Sequence, residues 1–236
     1  MNNTQTKAVA APTWVHSGWA SIAKKTVMAI SGAVFILYVI GHMIGNWQIF
    51  MGPETLNAYA VTLRELGPLL WTVRAAMFIF LILHVWTGIR LYLENKWARP
   101  LGYQREDTVQ ASLASRTMIW SGLGILLYVV YHVLHFTLFV TNPHYANLKD
   151  ANGHTDVYAM VVDGFSNYWI AGVYILAMAF LAYHLSHALP SMFQTMGWNR
   201  PQYHTGFRVI GVAFALFMFI GYSIMPVAVL AGWITR

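Results

Sequence analysis

The chain has 236 residues, of which 58% are hydrophobic, 15% aromatic and only 9% charged, with a formal net charge of +6. Soluble domains carry roughly 25% charged residues, so this deficit argues against a water-soluble fold and for a bilayer as solvent. Cysteine is absent, which removes disulfides, thiolate metal sites, iron–sulfur ligation and cofactor attachment through Cys-x-x-Cys-His. The basic residues stand at the ends of apolar runs, not along a phosphate-tracking stripe, so no nucleic-acid partner is expected.

Met1 to Ala11 is polar and mixed, without the apolar core and cleavage site of a signal peptide. Residues 1–25 therefore read as an interfacial N-terminal segment and residues 26–236 as one membrane domain. A span needs about 20 mostly apolar residues, and five stretches qualify: Thr26–Phe50, Pro68–Leu93, Thr117–Val140, Asn167–Phe193 and Phe207–Trp233. The prediction is an all-α integral-membrane protein with five transmembrane helices. Connections are short apart from Thr141–Ser166, and Trp47, Trp71, Trp97, Trp169 and Trp233 mark an interfacial belt near the span ends. Glycine recurs inside the spans, at Gly32, Gly41, Gly122, Gly124 and Gly172, where it admits a close neighbour.

Lysine and arginine set the expected direction. With the N-terminus inside, that side receives Lys7, Lys24, Lys25, Arg90, Lys96, Arg99, Arg105, Arg116, Arg200 and Arg208; the other side receives Arg64, Arg74, Lys149 and Arg236. Ten against four places the N-terminus in the cytoplasm and the C-terminus outside, as in a multi-pass protein of a cell's inner membrane.

Ten histidines are present, and six fall inside spans: His42, His84, His132, His135, His184 and His187. Ionisable groups in hydrocarbon are costly and mark function. No Asp or Glu lies in the core of these spans to pair with them; Glu54 and Glu65 belong to the outer connection. An α-helix rises 1.5 Å per residue, so His42 and His132 lie roughly 24–25 Å from the cytoplasmic edge, and His84 and His184 roughly 15–18 Å. Spans one and three thus offer a deep histidine pair, and spans two and four a shallower one. Haem b with two axial imidazoles needs one histidine from each of two helices at equal depth, and this arrangement occurs twice. Four helices would hold two b haems, with the fifth packing against them.

His135 and His187 each follow a candidate ligand by three residues, so the spacing leaves open which member of each pair is the ligand. The other member would bond a haem propionate or a backbone carbonyl. Ser31 and Ser121 each stand 11 residues before His42 and His132, on the ligand face and close to the inner haem or a quinone beside it. Arg74 is placed to pair with outer-haem propionates or to snorkel to the interface.

These stretches resemble a known family. Ser21-Ile-Ala-Lys-Lys25, Gly41-His-Met-Ile-Gly-Asn46, Leu83-His-Val85, Ala98-Arg-Pro100, Ala114-Ser-Arg-Thr-Met118 and Tyr131-His-Val-Leu-His-Phe136 are similar, in order and spacing, to the single-polypeptide di-haem cytochrome b anchor (b558 type) of succinate:quinone oxidoreductases. The resemblance runs from about Ser21 to the fifth helix. It implies His42, His84, His132 and His184 as axial ligands, the outer haem between helices one and three and the inner haem between two and four. It implies a flavoprotein and an iron–sulfur subunit on the cytoplasmic face, electron transfer to menaquinone, and a place in the tricarboxylic acid cycle. Trp19, Lys24, Ser31 and Arg116 are the candidate lining of a quinone site. A homo-oligomer of the whole complex is compatible with this. The alternatives are a cytochrome b anchor for a hydrogenase or formate dehydrogenase, and a transporter moving protons or metal ions on its histidines.

Overall fold

The computed structural model describes residues 18–98, 112–198 and 200–236. These are all-helical apart from one isolated bridge between Lys149 and Thr155. Five helical stretches are long and apolar enough to cross a membrane, as expected: those built on α1 (Gly18–Asn46), α3 (Pro68–Trp97), α5 (Met118–His132, its span running on to Phe136), α7 (Tyr168–Thr195) and α8 (His204–Leu230). The chain is a multi-pass membrane protein by this architecture. Three shorter helices join them: α2 (Pro53–Glu65), α4 (Leu113–Arg116) and α6 (Val157–Ser166).

The boundaries have local causes. Gly52, with φ +101°, turns the chain out of the short 3₁₀ stretch Trp47–Met51, and Pro53 then opens α2 at a position where no amide hydrogen is needed. Asn167 caps α7 by accepting from the Trp169 and Ile170 amides, and Asp156 caps α6 through the Ala159 amide. The expected outer loops are thus partly helical. Residues read as connections form α2 and α6, because each has an apolar face to bury: Leu56 on one, Ala159, Val162 and Phe165 on the other. The boundary expected at residue 26 falls inside one continuous α1. The third span departs from α winding at its end, where Val133–Thr137 forms a π-turn, before Phe139 takes a positive φ of 56°.

Helices α1, α3, α5 and α7 form a square in which sequence neighbours pack side by side and α7 closes back on α1. The diagonal partners, α1 with α5 and α3 with α7, do not pack closely. Helix α8 lies outside the square, mainly against α7, where Gly211 faces the Pro190 ring and the Ser186 carbonyl. At the end of the bundle away from the N-terminus, α2 and α6 form a cap. Asn57 Nδ2 donates to Asp156 (3.0 Å) while Asn57 Oδ1 accepts from the Tyr158 amide (3.0 Å). The Tyr158 hydroxyl donates to Thr235 O, and Arg236 pairs with Asp163 at 3.1 Å, which ties the chain's last residues into the cap.

Gly211→Val should test the α7–α8 seam. A Cβ there would meet the Pro190 ring at 2.8 Å and the Ser186 carbonyl at 3.0 Å, and neither can yield freely. A loss of about 1–3 kcal/mol is expected, as for other overpacked sites, seen as a lower thermal midpoint in detergent. Gly172→Ala, where nothing lies within 4 Å of the new methyl, should leave that midpoint in place.

Candidate cofactor site

The site is built from two antiparallel seams. Along α1 and α3, Lys24 pairs with Glu94, Met28 lies against Thr87 and Gly88, and Ser31 Oγ approaches His84 Nδ1 at 3.0 Å. Along α5 and α7, Thr117 donates to Tyr183 (3.0 Å), Ser121 Oγ approaches His184 Nδ1 at 3.2 Å, and Gly124 faces Phe180. The two seams are alike. Each carries a Ser-Gly pair, Ser31-Gly32 or Ser121-Gly122, that meets the histidine of the following long helix with both residues. A methyl added to Gly32 or Gly122 would touch the His84 or His184 ring at 3.6 or 3.5 Å. The histidines alone do not display this quasi-two-fold relation.

From the seams the imidazoles reach across the square. His84 and His184 face each other with ring centroids 6.3 Å apart, and His42 faces His132 at 5.9 Å. Both pairs join diagonal helices, the ones that do not pack closely. They form two layers: His84/His184 near the end where α1 begins, His42/His132 near the α2–α6 cap. A ligating imidazole nitrogen stands about 2 Å from its metal, with the ring centroid about 1 Å behind, so two rings across one ion stand roughly 6 Å apart. Both separations match. None of the four residues is fully buried. Among the described residues no group of three or more His, Cys, Asp or Glu gathers on one point. The donors come in twos, which suits a metal that brings equatorial ligands of its own and does not suit a bare ion.

His135 has a different environment. It is fully buried, its Nδ1 lies 3.0 Å from the Tyr174 hydroxyl and its Nε2 3.4 Å from the Tyr145 hydroxyl, and its ring stacks on Phe136 at 3.9 Å. The π-turn carries it into the cap. Both nitrogens of His135 thus have tyrosine partners, whereas His132 has the Tyr174 hydroxyl 3.4 Å from its Nδ1. His187 pairs its Nε2 with Ser191 Oγ at 3.0 Å on its own helix. Arg74 is exposed, with its guanidinium carbon 4.9 Å from the centre of the Trp71 ring.

Three of the four residues read as a quinone lining have described side chains. Ser31 is engaged with His84, Lys24 is paired with Glu94, and Arg116 is exposed at the end of α4 with no hydrogen bond or ion pair to either. The Trp19 side chain lies outside the described residues, as do Lys7, Arg99, Pro100 and Arg105 from the charge count and the motifs. Glu94 was not singled out in the sequence because it lies one residue beyond the expected span. It stands two turns after Thr87 on the face that α3 turns to α1, and both residues are buried. That heptad spacing was the available signal.

Comparison with protein-family models, with curated proteins and with solved structures gave no match.

The Lys24–Glu94 pair should behave as a buried ion pair, since the two side chains are only 12% and 9% exposed. Lys24→Ala alone should cost about 3–5 kcal/mol, because it leaves an uncompensated buried carboxylate. The double variant Lys24→Met/Glu94→Leu should recover most of that loss in a denaturation assay in detergent.

Proposed function

We propose that this chain is the membrane anchor and electron-transfer subunit of a succinate:quinone oxidoreductase, holding two b haems within its bundle. The observation that carries the reading is the pair of imidazole couples, stacked in two layers, each joining helices that otherwise stand apart. His84 and His184 would hold the haem nearer the cytoplasm, and His42 and His132 the outer one. When bound, each haem supplies one-electron redox chemistry at its iron. The chain's residues hold the irons at fixed depths, keep bulk water out of the bundle and set the basicity of the ligands through their Nδ1 partners.

Sidedness follows from the lysine and arginine distribution, which sets the N-terminus, α4 and the near layer in the cytoplasm of a cell with this protein in its inner membrane. The chain has no dinucleotide fingerprint and no water-soluble catalytic domain among its described residues, so succinate chemistry belongs to partners. A flavoprotein and an iron–sulfur subunit would dock on the cytoplasmic face, with menaquinone as the membrane-borne reaction partner, and the four histidines would hold the haems that supply the electron path between them. The same layers would serve a hydrogenase or formate dehydrogenase anchor, and the subunits that co-purify decide between them.

A pyridine haemochrome assay with a reduced-minus-oxidised spectrum should return two haem b per chain. Folded protein without haem would refute the reading. Substituting His84 or His184 by Ala should remove one spectral component, and His42 or His132 the other, each to less than a tenth of its native amplitude. Equal loss of both components in all four variants would refute the two-layer assignment.

A further inference from the structure

For three of the four imidazoles, His84, His184 and His132, a neighbouring hydroxyl determines which ring nitrogen carries the proton. A serine hydroxyl has one proton to give. That of Ser31 is committed to the backbone, with Val27 O at 2.7 Å and Met28 O at 3.1 Å. What remains toward His84 Nδ1, at 3.0 Å, is an oxygen lone pair, so Nδ1 must be the donor. Ser121 repeats the arrangement, with Met118 O at 3.0 Å and His184 Nδ1 at 3.2 Å.

In the far layer a tyrosine takes this part. The Tyr174 hydroxyl lies 3.0 Å from His135 Nδ1 and 3.4 Å from His132 Nδ1, and its one proton can serve only one of them. Donation to the nearer nitrogen, on His135, leaves the phenol oxygen to accept from His132. His135 then carries its own proton on Nε2 and donates toward Tyr145 at 3.4 Å. The chain His132–Tyr174–His135–Tyr145 is polarised in one direction. His42 has no hydrogen bond to its ring among the described residues; it stacks on Tyr38 at 5.4 Å.

We propose that Ser31, Ser121 and, through Tyr174, His135 are positioning residues that hold His84, His184 and His132 in the Nδ1–H tautomer, leaving Nε2 as the free lone pair for iron. The inference rests on the haem reading above. It adds an asymmetry: the near layer has two such bonds and the far layer one. Donation from Nδ1–H makes an imidazole the stronger ligand and favours ferric iron, so losing the acceptor raises the midpoint potential of that layer alone.

The test is an optical redox titration with low-spin EPR on the purified, haem-loaded complex, each layer being identified by the histidine variants. Ser31→Ala and Ser121→Ala should raise the near-layer potential and shift its EPR signal, with the far layer unchanged. Tyr174→Phe should do the converse. Ser31→Thr, which restores the hydroxyl, should return the native values. Should an alanine variant lose the near haem outright, its recovery in the threonine variant supports the proposal, and failure to recover overturns it. Unchanged potential and EPR signal in Ser31→Ala also overturn it, while leaving the haem reading in place. A native chain that binds no haem defeats the haem reading itself, and this inference with it.

Discussion

An imidazole placed in hydrocarbon has two ring nitrogens to satisfy, and the architecture of this bundle follows from how it does so. Water is not at hand, and an unpaired polar group in the membrane core costs several kcal/mol. For His84 and His184 one nitrogen is met by a serine on the neighbouring helix, at 3.0 and 3.2 Å. The serine is in turn anchored to its own backbone. That contact fixes the rotation of α1 against α3 and of α5 against α7, and the same rotation sets the His84 ring facing the His184 ring. The centre is therefore lined by imidazoles in facing pairs.

The diagonal relation is the consequence with most bearing on function. Helices that pack closely leave no slot between them. The imidazole pairs avoid those seams and bridge α1 to α5 and α3 to α7, where the backbones stay apart. Small residues support this: Gly32 and Gly122 lie against the very rings that their serines hold. Helix α8 closes on α7 through Gly211 and on α1 through Gly221, whose carbonyl accepts from Trp47 Nε1 at 2.6 Å. It stiffens the square from outside and sets the Tyr222 ring beside the His42 ring, centroids 6.3 Å apart.

The two ends of the molecule are built differently. At the near end Lys24 and Glu94 form a buried ion pair on the α1–α3 seam. The far end carries a helical cap, α2 on α6, fastened by Asn57, Asp156 and the C-terminal Arg236. Beneath it an aromatic cluster surrounds His135, including Tyr131, Phe136, Tyr145, Phe165 and Tyr174. The near layer has Ser31, Gly32, Ser121 and Gly122 against its rings, with Phe35 edge-on to His84 at 5.5 Å.

The five spans, the absence of thiol chemistry and the two depths of the histidines were all legible in the sequence, because hydropathy, composition and a rise of 1.5 Å per residue are local properties. The depth argument also singled out Ser31 and Ser121, three turns before His42 and His132. Only the tertiary structure decided that these serines belong to His84 and His184, since the rotation of one helix against another depends on packing from all sides. His135 remained ambiguous for a related reason. The α periodicity puts it beside His132, and the π-turn that carries it into the cap depends on Tyr145 and Tyr174, 10 and 39 residues along the chain. Glu94 was hidden by an edge effect, a carboxylate at the rim of a span whose cost is met by Lys24 from 70 residues away. What the chain determined by itself was which groups lie at which depth in the bilayer. Which of them meet was settled by packing, because a hydrogen bond needs a direction as well as a depth.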